Sequence, residues 1–172
     1  MKRTITEALR GQFDSTLHMA FVLIDVCPET VWSASYNEVP FWQQVFHYVY
    51  YIDFWMRERY DDSEWRSMIF DDKYSTDLYA ESYEGLFISR EKMREYLKAI
   101  RLKTIKVFDR LHDDILGDSA VDTGLPYIYT HADIITGQIR HIMYNIGYLN
   151  GILREQALPE SDWYAYNEPE GS

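Results

Sequence analysis

The chain of 172 residues has the length of one domain, and with 47% hydrophobic residues it can bury a core without disulfide bridges. Its net charge of -11 argues against nucleic acids and acidic membrane surfaces as the main partners, because both attract clustered Lys and Arg side chains. Cys27 is the single cysteine and permits no intramolecular disulfide, and the N-terminal segment lacks the apolar region of a secretion signal, so we expect a cytoplasmic protein that neither binds nucleic acid nor crosses a membrane.

The first predicted helix covers residues 6–26, where apolar residues recur at spacings of three and four. Pro28 ends it, since a helix normally stops at or before the residue that precedes a proline. Cys27 stands beside that proline, without a helix N-terminus or a cationic neighbour to activate its thiol, so we expect it to have a structural role. The next residues, 33–39, are predicted to form a loop.

The second predicted helix begins at Pro40, a favourable first-turn residue, and continues to about residue 60. It is apolar nearly all round, which is typical of a helix that is central in its domain or covered by another segment or subunit. Residues 61–88 follow and are acidic, but they contain many aromatic side chains. A structureless loop of that length is improbable in a compact domain, so we expect a packed crossover that allows the next helix to start at either end of the domain.

The third predicted helix begins at Ser89, a good N-cap, and runs to about residue 116, before Gly117. One face carries apolar residues and is expected to join the core. The other face carries seven basic residues: Lys92, Arg94, Lys98, Arg101, Lys103, Lys106 and Arg110. We interpret this basic strip as a solvated face in contact with acidic parts of the chain.

The fourth predicted helix covers residues 130–155 and is the element around which the chain is organised. Thr130 and Asp133 form the signature of a capping box at its start. Isoleucines and leucines recur along it at spacings of three and four, so they form a continuous stripe that must face a core. His141 and Asn145 lie at the edge of that stripe. An acidic tail begins at about residue 156, and we expect residues 1–172 to form a single domain.

Standard catalytic motifs do not occur in the sequence. It contains no phosphate-binding glycine loop, nucleophile elbow, HExxH motif or paired CxxC motifs. The candidate metal ligands are five histidines: His18, His47, His112, His131 and His141. Zinc or nickel needs two or more imidazoles that converge from different elements. We expect His18 at the edge of the first helix, His112 to cap the end of the third and His131 at the surface.

The segment GQIRHIMYNIGYLNGILRE at residues 137–155 resembles the last helix of the DinB-like superfamily. The position of His47 in an aromatic second helix and the turn CPETVW at residues 27–32 are similar to that family too. The resemblance implies an all-α, DinB/YfiT-like four-helix bundle with a long crossover between its second and third helices, arranged up-up-down-down and often dimeric. It also implies a divalent metal held by one histidine of the second helix and two histidines, four residues apart, of the last helix.

Carried over residue by residue, the resemblance implies that His47 and His141 are metal ligands and that Asn145 stands in place of the third histidine. Residues four apart lie on one helix face, so His141 and Asn145 are placed to converge. An amide oxygen is a weak ligand for zinc or nickel, and Asp53, His18 or water would have to complete the set. In the alternative interpretation, His47 and His141 are hydrogen-bonded partners in a semi-polar core, and Asn145 satisfies them.

Two functions are therefore expected. The resemblance implies a metal-dependent enzyme, for example a thiol transferase or hydrolase, with zinc or nickel held by His47, His141 and Asn145. The alternative is a non-catalytic bundle that binds a small molecule or another protein and has lost its metal. We expect a homodimer formed through aromatic faces, and for the enzyme a small-molecule thiol as substrate.

Overall fold

The computed structural model describes residues 3–60, 63–71, 73–74, 76–78, 85–121 and 129–165. Helices dominate these residues, which confirms the all-α class: α1 Ile5–Val26, α2 Glu29–Trp32, α3 Phe41–Trp55, α4 Arg90–Asp109 and α5 His131–Glu155. Two short antiparallel pairs of strands accompany the helices: β1 Ser35–Tyr36 with β2 Val39–Pro40, and β3 Ser119–Val121 with β4 Tyr129–Thr130. Within the described ranges, no helix is both long enough and apolar enough to cross a membrane. Parts of the predicted crossover and the tail beyond residue 165 lie outside the described residues.

Local sequence sets the start of the two longest helices. The side chain of Thr4 accepts a hydrogen bond from the amide of Glu7, whose carboxylate accepts one from the amide of Thr4. Thr130 and Asp133 form the same capping box at the start of α5, as the sequence predicts. Each box satisfies two backbone N–H groups that the helix itself leaves without partners.

Two predicted helix ends and one predicted loop differ from the structure. The helix α3 ends at Trp55 rather than near residue 60, and α4 ends at Asp109 rather than near residue 116. Met56 and Leu111, which follow these ends, are still buried, so the apolar pattern continues where the helices do not. The predicted loop at residues 33–39 contributes to the β1–β2 hairpin, whose two turn residues have positive φ.

The core lies where α1 and α3 each pack against both α4 and α5. The apolar stripe of α5 is buried as predicted, with Ile142 and Leu149 fully enclosed. Large aromatic side chains fill much of the remaining interior: Phe13, Trp32, Phe41, Trp42, Phe46, Tyr48 and Tyr96. The tail after α5 returns to α1, because the hydroxyl of Ser161 donates to the carbonyl oxygen of Met19 at 2.7 Å.

Side-chain contacts show that α1 and α4 run in opposite directions. Arg10, near the start of α1, binds Asp109 at the end of α4 with a separation of 2.9 Å. Asp25, near the end of α1, binds Arg94 near the start of α4 at 2.7 Å. The order of the contacts along one helix is therefore reversed along the other.

The helix α3 runs parallel to α4 and antiparallel to α5. Phe46 contacts Tyr96, and later in both helices Asp53 contacts Lys103. His47 lies against His141 of α5, whereas Trp55, at the end of α3, contacts Tyr129 before α5 begins. In chain order, the four long helices α1, α3, α4 and α5 therefore run up, down, down and up. The predicted up-up-down-down order is wrong, because a short connection reverses the chain after α1 and the long crossover then carries it back to the end where α3 began.

The crossover covers the outer side of α3. Phe70 lies 5.2 Å from Phe46 and 5.0 Å from Tyr96, measured between ring centroids. Trp65 packs edge-on against Tyr50 of α3 at 5.6 Å. Of the two explanations for the apolar surface of α3, the structure shows that another segment of the same chain covers this part of it.

A buried carboxylate joins the crossover to two helices. Asp53 has no exposed surface, and its carboxylate accepts hydrogen bonds from Lys103 at 2.7 Å and from the hydroxyl of Tyr96 at 3.0 Å. It also accepts bonds from the amide and the hydroxyl of Ser67 at 2.8 and 2.6 Å. Lys103 donates further to the carbonyl oxygen of Trp65. These bonds occupy Asp53, so it is not the additional metal ligand that the sequence suggested.

Lys103→Met should strongly destabilise the protein, because it leaves the carboxylate of Asp53 buried without its counter-charge. We expect the free energy of unfolding to fall by about 3–5 kcal/mol. Urea denaturation followed by circular dichroism measures the change. Arg154→Met is the matched control, since the pair between Arg154 and Glu160 is largely exposed on the arginine side and its loss should cost less than about 1 kcal/mol. Equal effects of the two substitutions would contradict this role of Lys103.

Candidate metal site

His47 of α3 and His141 of α5 face each other across the interface between these helices. Their Nε2 atoms lie 3.4 Å apart, and the two rings are nearly perpendicular. Tyr51, one turn after His47, contacts both rings, with centroid distances of 5.0 and 5.8 Å. The structure thus brings together two side chains that are 94 positions apart in the sequence.

A backbone carbonyl group of the crossover orients the ring of His47. Its Nδ1 atom lies 2.7 Å from the carbonyl oxygen of Thr76. Because a carbonyl oxygen can only accept a hydrogen bond, we assign the ring proton to Nδ1. The Nε2 atom of the neutral ring then presents its lone pair toward His141. Histidines that bind metals are commonly held through their second nitrogen in this way.

His141 is uncharged at neutral pH. Burial, with a further contribution from the neighbouring His47, lowers its pKa to about 4. Only the neutral ring offers a lone pair to a metal, so protonation competes with metal binding. The surroundings of His141 therefore favour the form that can act as a ligand.

The separation of the two Nε2 atoms fits a shared metal ion. Two nitrogens bound to tetrahedral zinc, each at about 2.0–2.1 Å, lie about 3.3–3.4 Å from each other. A good hydrogen bond from an N–H group is shorter, at about 2.7–3.2 Å. The observed 3.4 Å between His47 and His141 agrees better with the first arrangement. The neutral ring of His141 and the spacing of the two Nε2 atoms are thus suited to zinc or nickel.

Asn145 lies one turn beyond His141 on α5 and is 7% exposed. Its Nδ2 atom donates to the carbonyl oxygen of His141 at 2.8 Å, which leaves Oδ1 as the atom through which it could ligate. Among the residues that the structure describes, no three His, Cys, Asp or Glu side chains form a group able to hold a metal. The predicted residues therefore supply two imidazoles and one amide.

A cavity of about 230 Å³ adjoins this end of the site. Asn145 lines it together with Gln44, a buried residue of α3 that lies one turn before His47. Tyr36 and Tyr148 also contribute to its wall, so the lining combines amide groups with phenol rings. A small molecule in this cavity would contact Asn145.

The other three histidines lie elsewhere. The ring of His18 packs against Tyr164 at 4.0 Å, as suits the edge position predicted for it. His112 is exposed and lies three residues after the last residue of α4, so its role at the end of that helix stays a prediction. His131, for which the sequence predicts a surface position, is partly buried at the start of α5, and this burial lowers its pKa.

Cys27 is not suited to nucleophilic chemistry. It is fully buried, and this burial raises the pKa of its thiol to about 12. The thiol stays protonated at neutral pH, whereas a cysteine nucleophile reacts as its thiolate. A cationic neighbour, which the sequence did not predict, lies close by, because Arg90 donates to the carbonyl oxygen of Cys27 at 2.8 Å. The effect of burial on the pKa is larger than that of Arg90, so the structural role suggested by the sequence agrees with the geometry.

Two residues near the site were not predicted from the sequence. Thr76 acts through its backbone carbonyl, which every residue type possesses, so no sequence signal identifies it. Gln44 could have been found, because it is a polar residue three positions before His47 in a mostly apolar helix. The spacing places both on neighbouring positions of one helix face.

His141 should make the stability of the protein depend on acidic pH. Its pKa is about 6.5 in the unfolded chain and about 4 in the folded one, so protons bind preferentially to the unfolded state between these values. The stability is therefore complete above pH 6.5 and decreases as the pH falls toward 4. We expect a shallower decrease in His141→Gln, measured by urea denaturation across this pH range.

The exposed position His112 provides the matched control for this measurement. His112→Gln should retain the pH dependence of the wild type. If wild type and His141→Gln lost stability with the same slope, the buried, neutral state assigned to His141 would be wrong.

The chain was compared with protein-family models, with curated proteins and with solved structures, and no match was found. The resemblance to the DinB-like superfamily therefore depends on the sequence features given above. The arrangement of His47 and His141 is an observation independent of that resemblance.

Proposed function

We propose that the protein is a metal-dependent enzyme of the DinB-like superfamily that binds zinc or nickel through His47 and His141. The observation that carries the proposal is the facing pair of Nε2 atoms, 3.4 Å apart. The hydrogen bond between His47 and the carbonyl of Thr76 supports it, because it directs the lone pair of Nε2 into the shared space.

We further propose that α1, α3, α4 and α5 form a four-helix bundle of the DinB/YfiT-like type. The packing of α1 and α3 against α4 and α5, and the long crossover between α3 and α4, support this classification. The up-down-down-up order differs from the order implied by the resemblance. The family proposal therefore depends on the histidines and on the crossover rather than on the order of the helices.

The proposed substrate is a small-molecule thiol. His47 and His141 would hold a divalent metal ion, which would supply Lewis acidity and so lower the pKa of a bound thiol toward neutral pH. The carbonyl of Thr76 keeps His47 in one tautomer. Asn145 acts as a weak third ligand or orients the substrate through Oδ1, and the adjoining cavity of about 230 Å³ accepts the rest of a small molecule.

A second candidate function is a non-catalytic bundle that binds a small molecule or a partner protein. The observation that favours it is Asn145, whose amide group bonds to the backbone of its own helix in place of a third imidazole. The histidines would then be hydrogen-bonded partners within a semi-polar interior. The homodimer and the cytoplasmic location expected from the sequence stay predictions under either function.

Metal content tests the first proposal. We expect protein purified without an affinity tag to contain stoichiometric zinc or nickel and to melt at a higher temperature when the metal is added. His47→Ala and His141→Ala should lose both properties, since each removes one imidazole. Asn145→His should bind more tightly, because imidazole is a better ligand than an amide for these metals. Elemental analysis measures the metal content, and calorimetry measures the melting temperature and the metal affinity.

The exposed residue His112 again provides the control, and His112→Ala should retain the metal. Substoichiometric zinc, nickel, iron and manganese in the wild type, with no thermal stabilisation by any of them, would overturn the enzyme proposal. The second candidate function would then be favoured.

A further inference from the structure

The cavity beside Asn145 has an uncharged lining. Its volume is about 230 Å³. Ligand pockets generally measure about 300–1,000 Å³, so a ligand of this cavity is small. The described residues that line it are tyrosines, asparagines, a glutamine, a valine and a leucine, and none of these carries a charge. Because an ion that leaves water needs an opposite charge as partner, the lining favours a neutral ligand.

Two buried amide groups supply hydrogen-bond acceptors to this cavity. Gln44 is 5% exposed and Asn145 is 7% exposed, and both line the cavity. The amide nitrogen of Gln44 lies 3.5 Å from the carbonyl oxygen of Tyr36, and that of Asn145 donates to the backbone of its own helix. Among the residues that the structure describes, Oε1 of Gln44 and Oδ1 of Asn145 have no hydrogen-bond partner. A ligand that donates hydrogen bonds would satisfy both oxygens.

Two phenol groups supply hydrogen-bond donors. The hydroxyl oxygen of Tyr36 accepts a hydrogen bond from Gln156 at 2.9 Å. That of Tyr148 accepts one from the amide of Asn37, also at 2.9 Å. A phenol that accepts a hydrogen bond still has its own O–H group to donate. Both tyrosines line the cavity, so a ligand with an acceptor oxygen would find donors there.

Antiparallel packing places the two amides on the same side of the histidine pair. Gln44 precedes His47 by three residues on α3, and Asn145 follows His141 by four residues on α5. Because these helices run in opposite directions, both steps lead the same way along their interface. The amides therefore lie about one helical turn, or about 5.4 Å, from the histidines. A group bound by the amides and a group bound at the histidines can belong to one short molecule.

The combination of acceptors and donors selects one class of ligand. A primary carboxamide is neutral, and it has N–H groups for the two amide oxygens and a carbonyl oxygen for a phenol. A carboxylate of the same shape has only acceptors, which would face the oxygens of Gln44 and Asn145. An ammonium group has only donors and would bring a charge without a counter-charge into the cavity.

We propose that the cavity binds the carboxamide end of a short, neutral thiol. The N–H groups of the ligand donate to Oε1 of Gln44 and Oδ1 of Asn145, and its carbonyl oxygen accepts from the hydroxyl of Tyr148. The thiol end of this substrate rests on the proposed function, whereas recognition of the carboxamide needs only these side chains. Of the two roles given to Asn145, the proposal selects orientation of the substrate over ligation of the metal.

Three thiols of equal length but different charge test the proposal on the full chain. They are neutral 3-mercaptopropionamide, anionic 3-mercaptopropionate and cationic 3-mercaptopropylamine, each titrated at pH 7. NMR of the side-chain amide groups of Gln44 and Asn145 measures binding. We expect saturable shifts with the carboxamide and an affinity at least about fivefold higher than for either charged thiol, because each charged thiol leaves polar groups unpaired. Absence of saturable shifts, or equal or tighter binding of a charged thiol, would overturn the proposal.

Substitutions test the assigned contacts. Tyr148→Phe should weaken binding of the carboxamide by about threefold to tenfold, because one hydrogen bond is lost. It should leave binding of 3-mercaptopropylamine unchanged, since an ammonium group accepts no hydrogen bond. Tyr148 is exposed, so the variant is expected to fold, which circular dichroism checks. Equal binding of the carboxamide by wild type and Tyr148→Phe would remove the assigned contact.

Gln44→Glu should reverse the preference in favour of 3-mercaptopropylamine, because it places a carboxylate in the cavity. The matched control is Gln12→Glu, which makes the same change in net charge at an exposed position of α1 outside the cavity lining. Gln12→Glu should keep the preference for the carboxamide. If both variants changed the preference equally, a general charge effect would replace the proposed contacts.

The same titrations in the presence of EDTA separate this proposal from the metal site. The preference for the carboxamide should persist, because the assigned contacts come from protein side chains. Selective carboxamide binding by a chain that contains no metal would support the assigned contacts and overturn the metal-dependent enzyme. Stoichiometric metal without a preference for the carboxamide would overturn the proposed contacts and leave the metal site intact.

Discussion

The buried carboxylate of Asp53 is the interaction on which the rest of the structure depends. It connects α3 with Lys103 of α4 and with Ser67 of the crossover, and all of these bonds are made inside the protein. A charge without exposed surface is tolerated because hydrogen bonds and a counter-charge replace its hydration. Further along, the same crossover supplies the carbonyl of Thr76 that orients His47. The ion pair therefore holds the crossover at Ser67, in the same segment that supplies the carbonyl bonded to His47.

The histidine pair lies at one interface between the helices. His47 and His141 meet where α3 packs on α5, and Tyr51 contacts both rings. Asn145 lies one turn beyond His141 on the same helix and is nearly buried. This interface therefore combines imidazole and amide groups with a mostly apolar interior, which suits ligation.

Local features of the fold could be predicted from the sequence, and long-range ones could not. The start of α5 follows from Thr130 and Asp133, because a capping box is made within four residues. The direction of α4 does not follow from local pattern, because it depends on the path of a long crossover. The proximity of His47 and His141 was implied by a family resemblance, since a separation of 94 residues carries no geometric information. Thr76 could not be identified, because its contribution comes from the backbone.

The proposed metal site requires that His47 and His141 present their Nε2 lone pairs to a common metal ion. Nitrogen-15 NMR of the histidine rings, recorded with and without zinc, distinguishes the nitrogens and tautomers of each ring. We expect His47 to carry its proton on Nδ1 in both samples, and we expect zinc to shift the Nε2 signals of His47 and His141 while those of His112 stay unchanged. Unchanged Nε2 signals at both residues, or equal shifts at His112, would contradict the proposed metal site.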